Sequence, residues 1–301
     1  MTPLIYHLTF RGFYSEINNL ILGYLFALDQ GHPFKLYSKD WISAYDRGWQ
    51  DYFVPFCEET DDEHLAHPTI LPHDPFTHWR LNLVYHRLKI LKKKILRQPF
   101  FAQDLYYDFR ETSFLSKNFN LPQYDLTGDI FSVSRGLMKQ ILTFNPATKQ
   151  YLDEGLKLAK LPKQYIAMHI RRGDKVSGKK WEANRIDIRD YFEMAIKARP
   201  ALKDVFIATD DFAVIRESRL LYPEFTIHTL CSEEKAGHDE ATFAQMTPML
   251  RKKETLAFLL ESEIMKMADI FIGTYSSNVG KAMALLRDQN TYSVDLQWSP
   301  G

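Results

Sequence analysis

A short apolar stretch that ends in a knot of charge constrains this chain most: Tyr165-Ile-Ala-Met-His-Ile-Arg-Arg-Gly-Asp-Lys175. Tyr165 to Ile170 has the length and apolar content of a buried strand, and Leu161, Pro162 and Lys163 mark its entry. The end of that strand sets His169, Arg171, Arg172, Asp174 and Lys175 around Gly173. Ligands in α/β sheets gather in the crevice beyond the carboxyl ends of the strands. Two arginines there offer planar, permanently charged forks that suit phosphate oxygens. The same residues would also make a surface basic turn paired with its own aspartate, and the stretch alone does not choose.

Its surroundings narrow the fold. Strand patterns recur at Tyr165–Ile170, Val205–Ala208, Phe225–Leu230, Ile270–Thr274 and Tyr292–Leu296, with helices expected near 188–199, 212–221, 251–268 and 278–287. That alternation predicts a doubly wound α/β domain. At the other end, Leu4 to Phe10 reads as a strand, Arg11-Gly12 as a turn, and Ser15 as the cap of a helix carrying Ile17, Leu20, Ile21, Tyr24, Leu25 and Leu28. Gly31-His32-Pro33 ends this helix and Phe34 to Tyr37 follows as a second strand, so the chain opens on a β-α-β unit. Gly12 would let backbone amides approach a ligand, although a tight turn without one explains it as well. The economical architecture is two α/β domains, 1–160 and 161–301, facing each other across a cleft.

Between these ends the pattern is weaker. Residues 42–75 are aromatic-rich and acidic, and the run Glu58-Glu-Thr-Asp-Asp-Glu63 is expected as a solvated loop. Residues 80–97 predict a basic amphipathic helix, read as an ordinary surface helix rather than a nucleic-acid surface. Residues 98–160 read as helical and aromatic, interrupted near Pro122, Gly128 and Pro146.

Composition excludes several classes. Lys+Arg 38 balances Asp+Glu 38, so no global field favours nucleic acid or an anionic membrane, and phosphate binding must be local. No apolar run approaches the roughly 18 residues that a membrane span needs. Met1 to Phe10 lacks the apolar core of a signal peptide. Cys57 and Cys231 are the only cysteines, which points to reduced thiols rather than a disulfide framework. No Asn-x-Ser/Thr acceptor occurs. The expected location is therefore cytoplasmic, unless a membrane anchor has been removed from the chain.

His169-Ile-Arg-Arg-Gly-Asp-Lys175 resembles the H-x-R-R-x-D-K signature of the α1,6-fucosyltransferases and their nodulation and protein O-fucosyltransferase relatives. Phe206-Ile-Ala-Thr-Asp-Asp211 and Ala268-Asp-Ile-Phe-Ile-Gly-Thr-Tyr-Ser-Ser277 match the same superfamily in order, and Phe10-Arg-Gly-Phe-Tyr-Ser-Glu-Ile-Asn-Asn19 looks like its glycine-aromatic turn and first helix. The resemblance implies a GT-B-like fold, with 1–160 on the acceptor side and 161–301 binding the nucleotide sugar, and an inverting, metal-independent transfer of sugar from a nucleoside-diphosphate donor, most simply GDP-fucose, to a glycan or glycoprotein hydroxyl. No cofactor is expected. A same-fold enzyme with another donor such as UDP-xylose, and a non-catalytic sugar-nucleotide or glycan-binding protein, are the alternatives.

Individual residues carry these expectations unevenly. Asp210 and Asp211 at a strand end suit either a divalent cation or the capping of the helix that follows, and capping with donor-site structure is the favoured reading. Glu261 has Ala257, Phe258, Ile264 and Met265 as helix neighbours, so it sits at a seam or meets a specific partner. The resemblance puts it where an aspartate reads guanine. Ser276 and Ser277 precede a helix N-terminus, a ready phosphate site, and the resemblance places Ser277 on the diphosphate. Arg171 is the candidate for the diphosphate, with Arg172 and Lys175 in support. Where the resembled enzymes carry a catalytic glutamate this chain has Lys179, so Asp174 and Glu182 are the substitute bases.

Overall fold

Buried aliphatic and aromatic side chains make the first strand, β1 (Leu4–His7). It leads into α1 (Phe13–Gln30), which buries Ile17, Leu20, Ile21 and Leu25 and ends at Gly31, whose φ of 69° is the left-handed cap expected there. The helix starts earlier than the sequence suggests. Gly12, with an ordinary φ of −53° and no side-chain hydrogen bond, occupies the cap position instead of Ser15. Burial in the first turn of Phe13, against Trp41 and Phe53, and of Tyr14, against Phe13, decides this, because two buried aromatic rings outweigh a hydroxyl cap of about 1 kcal/mol.

The chain returns as β2 (Phe34–Tyr37), parallel to β1 with Leu4 opposite Phe34. Two short strands, β3 (Glu58–Glu59) and β4 (Phe100–Phe101), complete a parallel sheet in the order β3-β2-β1-β4. The acidic run is thus a sheet edge at its start rather than a loop, since the Lys35 ammonium meets Glu58 across the strands and the Ser38 hydroxyl donates to Glu59 at 3.2 Å. A hairpin, β5 (Phe119–Leu121) with β6 (Leu126–Gly128), replaces part of the helical region expected after residue 98. Beyond it come α2 (Ile130–Ile141), capped by Asp129, and α3 (Pro146–Ala159), capped by Asn145.

A second parallel sheet follows the expected alternation: β7 (Ile166–Ile170), α4 (Ile188–Ala198), β8 (Asp204–Thr209), α5 (Phe212–Leu221), β9 (Thr226–His228), α6 (Pro248–Met267), β10 (Ile270–Gly273), α7 (Asn278–Leu286) and β11 (Thr291–Ser293). Its order is β11-β10-β7-β8-β9. Ile166, Met168 and Ile170 on one face of β7 form a dry core with Ile188, Tyr191, Phe192, Val205 and Ile207. The opposite face packs against α6.

The computed structural model describes residues 2–62, 91–93, 95, 100–173, 185–238 and 240–300. They divide into two compact units, Met1–Thr143 with Pro300–Gly301, and Phe144–Ser299. The division falls before α3 rather than after it, because α3 packs on α6, with Gly155 against the Leu260 side chain. Most of the basic stretch 80–97 lies outside the described residues. Among the described residues, no helix is long and apolar enough to cross a membrane.

One glycine fixes how α7 meets the sheet. A Cβ on Gly280 would lie 2.0 Å from the Thr274 carbonyl oxygen, which is backbone and cannot step aside. We therefore expect Gly280→Ala to cost about 2–3 kcal/mol or more by overpacking. Gly136→Ala, whose Cβ meets only the flexible end of Leu126, should cost far less. Thermal denaturation of the two variants checks the contrast, and equal melting points would contradict it.

Candidate functional site

The order of the second sheet locates a crevice before any side chain is considered. Connections from β7 run first to β8 on one side and later to β10 on the other, so the strand order reverses between β7 and β10. Ligands of open α/β sheets bind beyond the carboxyl ends at such a switch point. The turns that lie there are Arg171–Gly173 after β7 and Thr274–Ser277 after β10.

Each turn is held by a carboxylate from a neighbouring strand. Asp210, at the end of β8, takes the amide of Arg172 on Oδ1 at 2.7 Å and the amides of Gly173 and His238 on Oδ2 at 2.9 and 3.3 Å. Its carbonyl accepts from Gly237 at 2.8 Å. The backbone threads so closely that a Cβ on Gly173 would come within 2.5 Å of the His238 carbonyl oxygen. Asp295, past β11, accepts from the amides of Tyr275 at 2.8 Å and Ser276 at 3.3 Å and from the Ser293 hydroxyl at 2.7 Å. Although burial opposes it, hydrogen bonds from Ser276 and Ser293 hold this carboxyl below its ordinary range.

The two arginines separate in role. Arg172 donates its guanidinium to the carbonyls of Arg171 at 3.2 Å and Ile186 at 2.9 Å, so it fastens the turn to the chain that follows. Arg171 stands with Nε 3.9 Å from Asp210 Oδ2 and its side chain 24% exposed. His169 is buried beside it. Burial and then the Arg171 charge push its imidazole down to about 4, with Asp210 opposing, so it is neutral near pH 7, and its Nδ1 has no partner among the described residues.

Ser277 caps α7, its hydroxyl accepting from Val279 at 3.3 Å, and Ser276 leans on Asp295. Asp211 caps α5 through Ala213 at 2.8 Å. Part of Glu261 reaches solvent, but protein crowds its carboxyl. Burial pushes it up to about 7, with Lys235 opposing and the charges of Glu254 and Asp210 adding. The structure therefore brings His169, Arg171, Arg172, Asp210, Asp211 and, electrostatically, Glu261 into one neighbourhood, with Ser276 and Ser277 on the adjoining turn. Gly12 belongs to the other unit, where its φ is one any residue adopts. Asp174, Lys175, Lys179 and Glu182 lie outside the described residues.

The sequence matches the family described as α-(1,6)-fucosyltransferase N- and catalytic domains over residues 12–292. The chain belongs to that family. It is 22% identical over 275 residues to the α-(1,6)-fucosyltransferase of Drosophila melanogaster, covering 89% of this chain and 40% of the relative. Against the Caenorhabditis elegans α-(1,6)-fucosyltransferase it is 26% identical over 149 residues, covering 46% of this chain and 25% of that one. It thus spans less than half the length of these relatives. The fold is similar to that of NodZ α-1,6-fucosyltransferase soaked with GDP-fucose, with a TM-score of 0.55 at 13% identity over 95% of this chain and 93% of that one. POFUT1 in complex with GDP gives a TM-score of 0.52 at 12% identity, covering 98% of both chains.

Sequence reading of this fucosyltransferase-family chain found the Asp210–Asp211 pair but not the clamp that Asp210 makes, and it missed Asp295. The signal in both cases is an aspartate just past an apolar strand. Splitting the pair by substitution tests the clamp. Asp211→Asn should be nearly neutral, since asparagine caps as well as aspartate. Asp210→Asn turns an amide group toward backbone donors and should cost about 1–3 kcal/mol. Hydrogen exchange at the Arg172 and Gly173 amides should rise in that variant alone, and equal effects at both positions would contradict the clamp.

Proposed function

We propose that the protein is a glycosyltransferase that moves a sugar from a GDP-sugar, with GDP-fucose as the donor, to a glycan hydroxyl, inverting the anomeric centre without a metal. The observation that carries this reading is Arg171, presented at the sheet's switch point on a turn that Asp210 holds rigid. A charged fork fixed in advance stabilises a departing diphosphate without reorganising as charge develops. The N-terminus of α7 adds backbone amides and the helix dipole to the same task. Family membership and the GDP and GDP-fucose of the NodZ and POFUT1 structures support the donor.

In the proposed reaction the acceptor oxygen attacks the anomeric carbon as the bond to the diphosphate breaks. A base takes the hydroxyl proton, and GDP leaves against Arg171. Asp174 and Glu182 are the proposed bases, with Lys175 and Lys179 on the diphosphate side. Metal-free chemistry is supported by the state of Asp210, three of whose roughly four acceptor directions already face backbone amides. A donor panel decides the reading: thermal shift and hydrolysis with GDP-fucose, other GDP-sugars and UDP-xylose, each with and without chelator. Stabilisation and turnover with GDP-fucose in chelator is expected. A response to UDP-xylose alone would overturn the donor, and activity restored only by manganese would overturn the mechanism.

Arg171→Ala should lose about 2–4 kcal/mol of transition-state stabilisation, as single oxyanion donors do. Lysine at 171 should rescue poorly, because a point charge does not reproduce a fork. Kinetics at saturating donor, with melting temperature as control, check both.

Glu261 gives a pH signature. A carboxylate that accepts guanine N–H groups fails once protonated, so with a folded value near 7 GDP affinity should fall about tenfold from pH 8 to pH 6. Glu261→Gln should bind GDP weakly with a flat profile. Stability runs the other way. The folded state keeps a proton that the unfolded chain has released, so stability falls as pH rises between the unfolded value, about 4.3, and 7. Ligand-free Glu261→Gln should therefore melt above the parent at pH 8, with the gap closing toward pH 4. A parent with pH-independent GDP affinity would remove Glu261 from base recognition.

A further inference from the structure

The chain that follows β9 folds back over the end of β8. The Lys235 carbonyl accepts from the Phe212 amide at 2.9 Å, Ala236 bridges Asp211 in the antiparallel sense, and the Gly237 amide donates to the Asp210 carbonyl at 2.8 Å. The His238 amide then reaches Asp210 Oδ2 at 3.3 Å, on the carboxylate that also holds the Arg172–Gly173 turn. Residues 235–238 are thus a cover beside the crevice beyond β7, fixed there by backbone hydrogen bonds.

This cover carries one cation to α6. The Lys235 ammonium stands 3.5 Å from Glu254 Oε2, and Glu261 follows two helical turns later on the same face of α6. Burial raises Glu261 to about 7, and Lys235 is the charge that opposes it, while Glu254 and Asp210 add to it. One ammonium therefore serves two carboxylates. Its pairing with Glu254 is open to water, the two side chains being 43% and 33% exposed, and such pairs add little stability. The ammonium can turn to another acceptor at small cost.

We propose that Lys235 is a specificity-determining residue that donates to O6 of a guanine base whose N1–H and amino group are accepted by Glu261. The role rests on the GDP-sugar donor proposed above. The chemistry selects the base. Guanine presents two adjacent N–H donors and then a carbonyl on one edge, and a carboxylate beside an ammonium is the complement of that order. Uracil offers one N–H between two carbonyls, so a carboxylate would face a carbonyl on either side. Adenine sets its amino group beside a ring acceptor, which leaves the second carboxylate oxygen unfilled.

Calorimetry on the full chain at pH 8.5, where Glu261 is ionised, compares GDP with the 5′-diphosphate of 2-aminopurine riboside, which keeps the amino group and lacks O6. Lys235→Met, of similar length and uncharged, should weaken GDP about tenfold, the loss of one charge-assisted hydrogen bond, and leave the analogue unchanged. A lysine that acted only through the charge of Glu261, or only by bracing the cover on α6, would weaken both nucleotides alike. Glu254→Gln breaks the same ion pair but keeps the ammonium, so it should not weaken GDP. Melting temperatures of both variants separate loss of fold from loss of contact. Equal losses for the two nucleotides, GDP binding indifferent to Lys235→Met, or a loss in Glu254→Gln that matches it overturns the role of Lys235 and leaves the donor reading standing. A parent that binds no guanine nucleotide overturns both.

Discussion

The carboxylate of Asp210, which accepts from three backbone amides, is the interaction on which the rest of the crevice beyond β7 depends. An irregular turn at the end of a buried strand leaves N–H groups with no ladder partner, and each such group is costly if unpaired. One aspartate on the next strand resolves this for Arg172, Gly173 and His238 together, through charge-assisted bonds stronger than neutral ones. Asp295 does the same for Tyr275 and Ser276. In the first unit Asp51 collects the amides of Tyr45, Asp46, Arg47 and Gly48 beneath an aromatic layer of Trp41, Trp49 and Tyr52. The chain shapes its loops by placing an anion at the centre of each.

From that device follows the division between neighbouring arginines. Arg172 spends its fork on the carbonyls of Arg171 and Ile186, and burial lowers its pKa, which suits a structural fastener. Arg171 remains at the mouth. A rigid turn then converts one flexible cation into a positioned one, the condition for electrostatic stabilisation that costs no reorganisation. Gly173 completes the arrangement, because the backbone of His238 occupies the space a side chain would need.

Two glutamates whose carboxyls are crowded by protein carry the opposite kind of signature. Glu16 and Glu261 are each pushed up to about 7 by burial, Glu16 despite hydrogen bonds from Thr9 and Tyr6 and the nearby charge of Arg11. Both therefore burden the folded state at neutral pH. Perturbed carboxylates of this kind occur both in functional sites and in structural networks. One lies on a helix of each unit.

Periodicity was enough to read the second unit. Every strand and long helix expected from Tyr165 onward is present, since parallel strands buried on both faces are nearly continuous in apolar residues and helices keep their stripe. The charged knot after β7 and the serines before α7 were legible for the same reason: strand ends and helix starts are local events. The first unit was less readable. β3 and β4 are two residues each, below the length at which any pattern shows, and the helix start moved from Ser15 to Gly12 because buried rings outweighed a cap. What tertiary structure alone decided was partnership. Sequence offered Asp210 and Asp211 as an equal pair; folding gave one to a helix cap and the other to three amides on segments up to 38 residues away. Local pattern specifies an element, but only the packing of elements specifies which polar groups remain unmatched.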